Sequence, residues 1–438
     1  MTAYSTVSRH GCAEPTPETH ETMRITLINK SDSTGGAAVV SLRLVNALRD
    51  AGIDARMLVT EKKTDSPHVA LAAQPLMIRR AFLAERLAIF ARLGFKQENL
   101  FKVDTCGDGV VLWRHPWVRD ADIICLNWVN QGVMSLRGIR RLAEMGKKIV
   151  WTMHDMWCMT GVCHHAGTCD GFRNRCGNCP LIGSRKSPRD LSFRTWQRKD
   201  DLRRNADIHY VAVSNWLAER AAASSLLADA DMTVIPNAFP LDDKYTPRAD
   251  NTGKTVRLLM GAARLDDPIK GLPILIEATR LLAAQSSGQR RYLLITYGGL
   301  KDPAALDNIA IPHTHLGTIP PSRIREAYDN ADIVVSTSLY ETLPGTLVEG
   351  QAYGCVPVAF DRGGQADIID HGKTGCIVPF ADDMHAAAAG IADGITSAAN
   401  GLLAEETRRR MFEAIRSKFA APAVAARYID LFRRILRQ

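Results

Sequence analysis

The chain has 438 residues, which suits two domains better than a single core. Hydrophobic residues make up 46% of it and charged residues 23%, a composition that excludes a largely disordered chain. The net charge of +8 favours anionic partners, such as nucleic acid, anionic lipid or phosphorylated small molecules, without choosing among them. The sequence has no apolar run of membrane-spanning length, and its N-terminus lacks an apolar signal core. We therefore expect a cytoplasmic globular protein with a disordered leader over residues 1–21.

The N-terminal half has the pattern of an α/β domain. A strand is predicted over residues 24–29, then a glycine-bearing loop and a helix over 37–48, which is the beginning of a βαβ unit. Two prolines within residues 235–240 interrupt regular structure, so we place the domain boundary there. The sequence thus predicts a Rossmann-like domain over residues 22–240. Short apolar runs predict its other buried strands at 53–59, 122–126, 148–152 and 209–213.

A periodic apolar helix is predicted over residues 76–95, with four arginines among its apolar residues. Two interpretations stay open for this helix. Its apolar stripe could face the core, or its basic amphipathic surface could meet anionic lipid. The tail, residues 403–438, is also basic and amphipathic. On the second interpretation, both segments attach the protein peripherally to the inner face of the cell membrane.

A cysteine-rich segment follows the strand at 148–152. Four cysteines have the spacing C-x5-C-x6-C-x2-C, and His164 and His165 stand between the first two. Four thiolates, or three with a histidine, suit a tetrahedral structural zinc. Reduced, unliganded cysteines and an iron–sulfur cluster are the alternatives. The candidate zinc ligands in the segment, residues 158–180, are Cys163, Cys169, Cys176 and Cys179.

The C-terminal half repeats the alternation of strand and helix. The last helices, within residues 403–438, follow the final predicted strand, and the last of them could cross back to the first domain. The pattern predicts a second Rossmann-like domain over residues 241–438. Its strands are predicted at 256–260, 292–296, 333–336 and 356–360, and its helices at 272–284, 322–330 and 346–353.

Charged residues follow the strand ends of this second domain. Arg264 and Lys270 come after a strand that is predicted to end at Gly261, and two such cations could neutralise a diphosphate leaving group. Glu341 follows another strand, and Glu349 lies in the next helix. The loop before that helix offers free backbone N–H groups to a phosphate, and a carboxylate can accept hydrogen bonds from ribose hydroxyls. The pattern therefore predicts a site for a nucleotide diphosphate.

These motifs resemble one known family. Gly261-x-x-Arg264, Lys270-Gly271, Glu341-x7-Glu349 and the later glycine pair are similar to the fourth family of retaining glycosyltransferases, which has the GT-B fold. The cysteine-rich segment resembles an insertion in the branch associated with exopolysaccharide or colanic-acid-type biosynthesis. The resemblance implies an α/β fold of two Rossmann-like domains facing across a cleft, with the donor nucleotide on the C-terminal domain. It also implies that catalysis requires no cofactor.

The resemblance also implies roles for matched positions. Arg264 and Lys270 would contact the donor diphosphate, Glu341 the transferred sugar and Glu349 the nucleotide ribose. His154 ends a predicted strand, where open α/β sheets hold their ligands, and would face the reacting sugar. After Glu341 the sequence departs from the common family loop, so only backbone amides are carried over there. The further donor-binding positions are Gly35, Gly36, Gly261, Thr342 and Leu343.

The sequence therefore predicts a hexosyltransferase. It would move a hexose from a nucleotide-diphosphate sugar to a growing, lipid-linked exopolysaccharide or cell-surface glycan, and a structural zinc is the candidate metal at its cysteines. A sugar-nucleotide epimerase or a glycogen-type synthase on the same fold is the alternative enzyme. A zinc-containing nucleic-acid-binding protein is an alternative of another class, but the cysteine segment has only Arg173 and Arg175 and lacks a basic stripe. We expect no nucleic-acid partner.

Overall fold

The computed structural model describes residues 23–248, 255–285 and 290–438. The predicted leader, residues 1–21, lies outside the described residues. Among them, no helix is both long enough and apolar enough to cross a bilayer.

The N-terminal domain is built on a parallel sheet. In the described part of the chain this sheet has seven strands, in the order β3-β2-β1-β4-β5-β6-β7. The strand order reverses between β1 and β4, and such a switch point leaves a crevice at the carboxyl ends of the strands. The strands are β1 Arg24–Ser31, β2 Asp54–Glu61, β3 Val69–Leu71, β4 Ile123–Leu126, β5 Lys148–Met153, β6 Ile208–Ala212 and β7 Met232–Val234.

A second parallel sheet forms the C-terminal domain. Counted over the described ranges it has six strands, in the order β10-β9-β8-β11-β12-β13, with a switch point between β8 and β11. The predicted fold class, two parallel-sheet α/β domains, is confirmed. The strands are β8 Thr255–Arg264, β9 Arg291–Gly299, β10 His313–His315, β11 Ile333–Ser336, β12 Val356–Phe360 and β13 Cys376–Val378.

Helices pack on these sheets and bury the apolar strand residues. The N-terminal domain has α1 Gly36–Asp50, α2 Pro75–Arg92, α3 Pro116–Asp120, α4 Leu136–Glu144, α5 Leu191–Asn205 and α6 Asn215–Ala222. After β8 follow α7 Leu272–Gln285, α8 Pro321–Asp329, α9 Gly345–Ala352, α10 Met384–Gly401, α11 Glu405–Phe419 and α12 Ala421–Arg437.

Strand β8 differs from its prediction. This strand is predicted to end at Gly261, but β8 continues to Arg264, which pairs with Gly299 of β9 after a break in register. Arg264 therefore lies at a strand end and not in a loop. The short strands β3, β7, β10 and β13 are also missing from the prediction, because three residues are too few to show a strand pattern.

The last helix returns to the first domain. Phe432 and Val424 of α12 are fully buried in the core that α1 forms with the N-terminal sheet. The Tyr428 hydroxyl lies 3.1 Å from the Thr152 hydroxyl of β5, which fixes the helix against the sheet. The buried apolar side chains of the tail are therefore occupied within the protein, so these side chains are not available to a membrane.

The packing of α12 predicts a large loss of stability when it is disturbed. Phe432→Ala should lower the free energy of unfolding by about 3–5 kcal/mol, because the change leaves a cavity in a filled core. Leu436→Ala on the same helix removes a side chain that is 40% exposed, so it should cost about 0.5 kcal/mol or less. Urea unfolding of both variants checks this. Equal losses would show that α12 does not pack as described.

Candidate active site

The N-terminal wall of the cleft is the glycine turn before α1. Gly35 has φ 90°, a conformation that strains any residue with a side chain. A Cβ at Gly35 or Gly36 would meet no atom within 4 Å, so both glycines face open space. Free backbone N–H groups at the start of this 15-residue helix therefore face the cleft, as an anion site requires.

The C-terminal wall carries a charged pair. Lys270 ends a short turn after β8, and its ammonium group is ion-paired with the Glu341 carboxylate. Gly271 follows with φ 66°, and a Cβ there would lie 2.2 Å from the Thr337 carbonyl oxygen, so only glycine fits. The turn thus fixes the backbone that carries Lys270.

The two walls enclose one cavity of about 510 Å³. The Thr342 hydroxyl donates a hydrogen bond of 3.0 Å to the backbone carbonyl of His154, which joins the loop before α9 to the end of β5. The two domains are therefore in direct contact beside the cavity. Of the predicted site residues, the cavity is lined by Gly35, Gly36, His154, Lys270, Glu341 and Thr342.

His154 is a neutral residue in this cavity. Its Nε2 lies 2.9 Å from the Asn127 side-chain oxygen, and we assign the proton to Nε2 because the amide oxygen accepts. Burial lowers the pKa of His154 to about 4, against an opposing effect of Asp155. At neutral pH the ring is therefore uncharged, and Nδ1 is left as an acceptor.

The other predicted site residues do not line the cavity. Glu349 accepts a hydrogen bond of 2.9 Å from Arg43 of α1 and one of 3.4 Å from the Tyr328 hydroxyl. Arg264 is paired with Asp266 at 3.2 Å. A Cβ at Gly261 would lie 2.0 Å from the Tyr297 ring, so this glycine is needed for packing. The residues placed outside the lining are Gly261, Arg264, Leu343 and Glu349.

A buried ionic cluster that no sequence motif indicates lies next to His154. His164 Nδ1 lies 2.7 Å from Asp155, and its Nε2 lies 2.8 Å from Asp104. Its ring stacks on Trp128 at 5.3 Å. Burial alone would lower the pKa of His164, but Asp155 and Asp104 together raise it to about 10. His164 is therefore an imidazolium held on both ring nitrogens, and Arg86 joins the cluster by pairing with Asp104 and, at 3.7 Å, with Glu85.

None of the four cysteines of the predicted zinc site forms a disulfide bond. Burial raises the pKa of the Cys163, Cys176 and Cys179 thiols to about 11. The turn at Cys176 has φ 55°, and the Gly161 N–H donates to its sulfur at 3.2 Å. Within residues 23–248, 255–285 and 290–438, no three His, Cys, Asp or Glu side chains are placed to hold a metal ion. The structural zinc stays a prediction.

Two family models match the chain, and each covers most of one domain. The model of Glycosyltransferase Family 4 matches residues 34–243, and that of Glycosyl transferases group 1 matches residues 248–418. The chain belongs to the GT-B glycosyltransferases. The retaining mechanism and the cysteine-rich branch stay predictions.

Among curated relatives, a putative colanic acid biosynthesis glycosyl transferase, WcaC, of Escherichia coli (strain K12) is 26% identical over 174 residues. That match covers 37% of this chain and 40% of the relative. The amylovoran biosynthesis glycosyltransferase AmsK of Erwinia amylovora is 31% identical over 140 residues, or 30% of this chain and 34% of the relative. The matches thus span less than half the length of either relative.

Solved structures show the same fold at low identity. Anabaena Alr3699/HepE in complex with UDP-glucose has a TM-score of 0.57 and 16% identity, with 94% of this chain and 100% of that chain covered. The pneumococcal O-GlcNAc transferase GtfA, in complex with UDP and GlcNAc, has a TM-score of 0.62 and 12% identity, with 96% and 100% covered. At these identities the likeness shows the fold alone.

The His164 cluster predicts a pH dependence of stability. A raised pKa in the folded state adds stability that is complete below about 6.5, the ordinary pKa of histidine, and is lost as the pH rises to about 10. The free energy of unfolding should therefore fall over this range, and urea unfolding at several pH values measures it. His164→Gln should remove this part of the slope, whereas His313→Gln, at an exposed histidine of β10, should keep it. Equal slopes in both variants would contradict the assignment.

Proposed function

We propose that this protein transfers a hexose from a nucleotide-diphosphate sugar to a growing, lipid-linked exopolysaccharide or cell-surface glycan, with retention of the anomeric configuration. The observation that carries the proposal is the pairing of Lys270 with Glu341 in a cavity whose opposite wall is the glycine turn at Gly35 and Gly36. A cation faces helix N–H groups across one cleft, and both suit a diphosphate.

The chemistry follows from where negative charge grows. As the bond from sugar to phosphate breaks, charge accumulates on the leaving diphosphate, and a fixed cation such as Lys270 stabilises it. The helix N-terminus at Gly36 adds the positive end of its dipole. Glu341 holds the ammonium group in place and lies where it can also accept hydrogen bonds from sugar hydroxyls. Arg264 is 48% exposed, so it can leave Asp266 for a phosphate at little cost.

The glycan class rests on the curated relatives. Two of them are named for colanic acid and amylovoran biosynthesis, and both are matched over part of their length. UDP-glucose is bound by a protein that shares the fold. These names favour a nucleotide-sugar donor and an exopolysaccharide product for this chain.

A screen of nucleotide sugars tests the donor. UDP-, GDP- and dTDP-linked hexoses are added singly, and the melting temperature is measured. The true donor should stabilise the folded protein by about 2.7 kcal/mol at a free concentration of one hundred times its Kd. If no nucleotide sugar and no nucleoside diphosphate raises the melting temperature, the proposal fails. Conversion of the donor into another nucleotide sugar without an acceptor would favour the epimerase.

Variants of the charged residues refine this test. Lys270→Ala should lower kcat roughly a hundred-fold by removing leaving-group stabilisation, whereas exposed Lys301→Ala should not. Glu349→Ala should weaken donor binding. Arg43→Gln is its matched control, because it removes the same ion pair and leaves the carboxylate. If the Lys270 and Glu349 variants keep normal kinetics, or if Arg43→Gln weakens binding as much as Glu349→Ala, the assignment is wrong.

We also propose that the protein attaches to the inner face of the cell membrane through α2. Leu76 is 78% exposed and Leu87 is 64% exposed, and Arg79 and Arg80 are exposed on the same helix. Exposed apolar side chains next to arginines suit the interface of an anionic bilayer. Arg86 takes no part in this surface, because it is buried in the ionic cluster. The interpretation that the apolar residues of this helix face the core is wrong for both leucines.

Flotation with vesicles tests the attachment. At low salt, vesicles that contain phosphatidylglycerol should carry the protein upward in a density gradient, and vesicles of phosphatidylcholine alone should carry less of it. The double variant Leu76→Ser, Leu87→Ser should float several-fold less. Leu316→Ser is the control, because this leucine is 41% exposed in the other domain. A protein that stays at the bottom of the gradient at low salt contradicts the attachment.

A further inference from the structure

The cysteine-rich segment carries one residue into the cleft that donor binding does not use. His165 lines the same cavity as Lys270, Glu341 and His154. It belongs to the N-terminal domain, whereas Lys270 and Glu341 belong to the C-terminal domain. His165 therefore faces the charged pair from the opposite side of the cavity.

The backbone that carries His165 is firmly fixed. The preceding residue, His164, is held between two carboxylates and stacked on Trp128. The His164 carbonyl accepts a hydrogen bond of 2.8 Å from the Met156 N–H, which ties the segment to the loop after β5. Because both ring nitrogens of His164 are bound, the next residue, His165, is held in a preorganised position at the cavity.

The same segment reaches the donor domain. Gly167 has φ 58°, and a Cβ there would lie 3.9 Å from the Tyr340 hydroxyl, which is ordinary contact distance. Tyr340 immediately precedes Glu341 and also lines the cavity. Residues 164–167 therefore span from the ionic cluster to the edge of the donor site, with His165 between these two contacts.

The nitrogens of the His165 ring are available to a ligand, because no hydrogen bond joins them to another residue in the described ranges of the chain. A neutral imidazole has one nitrogen that donates a hydrogen bond and one that accepts one. A sugar hydroxyl, which also donates and accepts, is the matching partner.

We propose that His165 binds a hydroxyl group of the acceptor sugar and so helps to select the acceptor. This inference rests on the proposed function. A diphosphate is bound by cations and N–H groups, and the cleft supplies these at Lys270 and at the start of α1. The His165 imidazole lies on the N-terminal domain and lines the same cavity as Lys270 and Glu341, so it suits an acceptor that enters from the N-terminal side of the cleft.

Transfer to simple acceptors tests the proposal. The wild type is assayed with the donor found in the screen and with octyl glucoside, octyl galactoside and octyl mannoside as acceptor probes. With the best of these probes, His165→Ala should raise the acceptor KM about ten-fold, which corresponds to about 1.4 kcal/mol and to the loss of one hydrogen bond. The rise in melting temperature that the donor causes should be retained. His165→Gln should recover part of the affinity, because an amide also donates and accepts.

Two outcomes would overturn the inference. An unchanged acceptor KM in His165→Ala would show that the ring does not contact the acceptor. An equal weakening of donor and acceptor binding would show that the residue supports the whole cleft instead. His313→Ala, at an exposed histidine outside the cleft, is the matched control and should change neither. A wild type that binds no nucleotide sugar refutes the proposed function itself, which is a different result.

Discussion

The hydrogen bond from the Thr342 hydroxyl to the His154 carbonyl joins the loop before α9 to the end of β5, and so links the two domains beside the cavity. Arg43 and Glu349 add an ion pair across the same interface, and Asn215 donates to Asp367 at its other side. Contacts of this polar kind are weak individually and can open without unfolding either domain. Together with the apolar packing of α12 on the N-terminal sheet, these contacts hold the domains together beside the cavity between Lys270 and the glycine turn.

The buried ionic cluster fixes the N-terminal wall. Taking Asp104, Asp155, Arg86 and His164 out of water costs free energy, which their mutual attraction and hydrogen bonds offset. Such clusters are a poor source of stability, but they permit few arrangements. Separating one member from its partners would leave a buried charge unpaired, which costs free energy. Each side chain of the cluster is therefore held in its position. The cysteine-rich segment is therefore anchored at His164, independently of any metal at its thiols.

The sequence predicts local structure well and long-range pairing poorly. Apolar runs between glycine turns identify the main strands and both sheets, because buried parallel strands have a distinct pattern. The partnership of His164 with Asp104 joins residues 60 positions apart, and no local pattern reveals it. Arg86 has the surroundings of a basic surface in sequence, yet it is buried because Asp104 lies beside it. Gly261 is part of the predicted donor-site motif, but the structure gives another reason for a glycine there, because the Tyr297 ring leaves no room for a side chain.

Glu349 shows how a predicted ligand contact and an observed protein contact can coexist. An ionised carboxylate has about four acceptor positions, and Arg43 and Tyr328 use one on each oxygen. Positions therefore remain for ribose hydroxyls while the ion pair is kept. The pair also orients the carboxylate, because Arg43 lies on α1, whose N-terminus forms the opposite wall of the cleft. A nucleotide bound at Glu349 would thus contact the C-terminal domain directly. Through the Arg43–Glu349 ion pair, its position would also be fixed relative to the N-terminal domain.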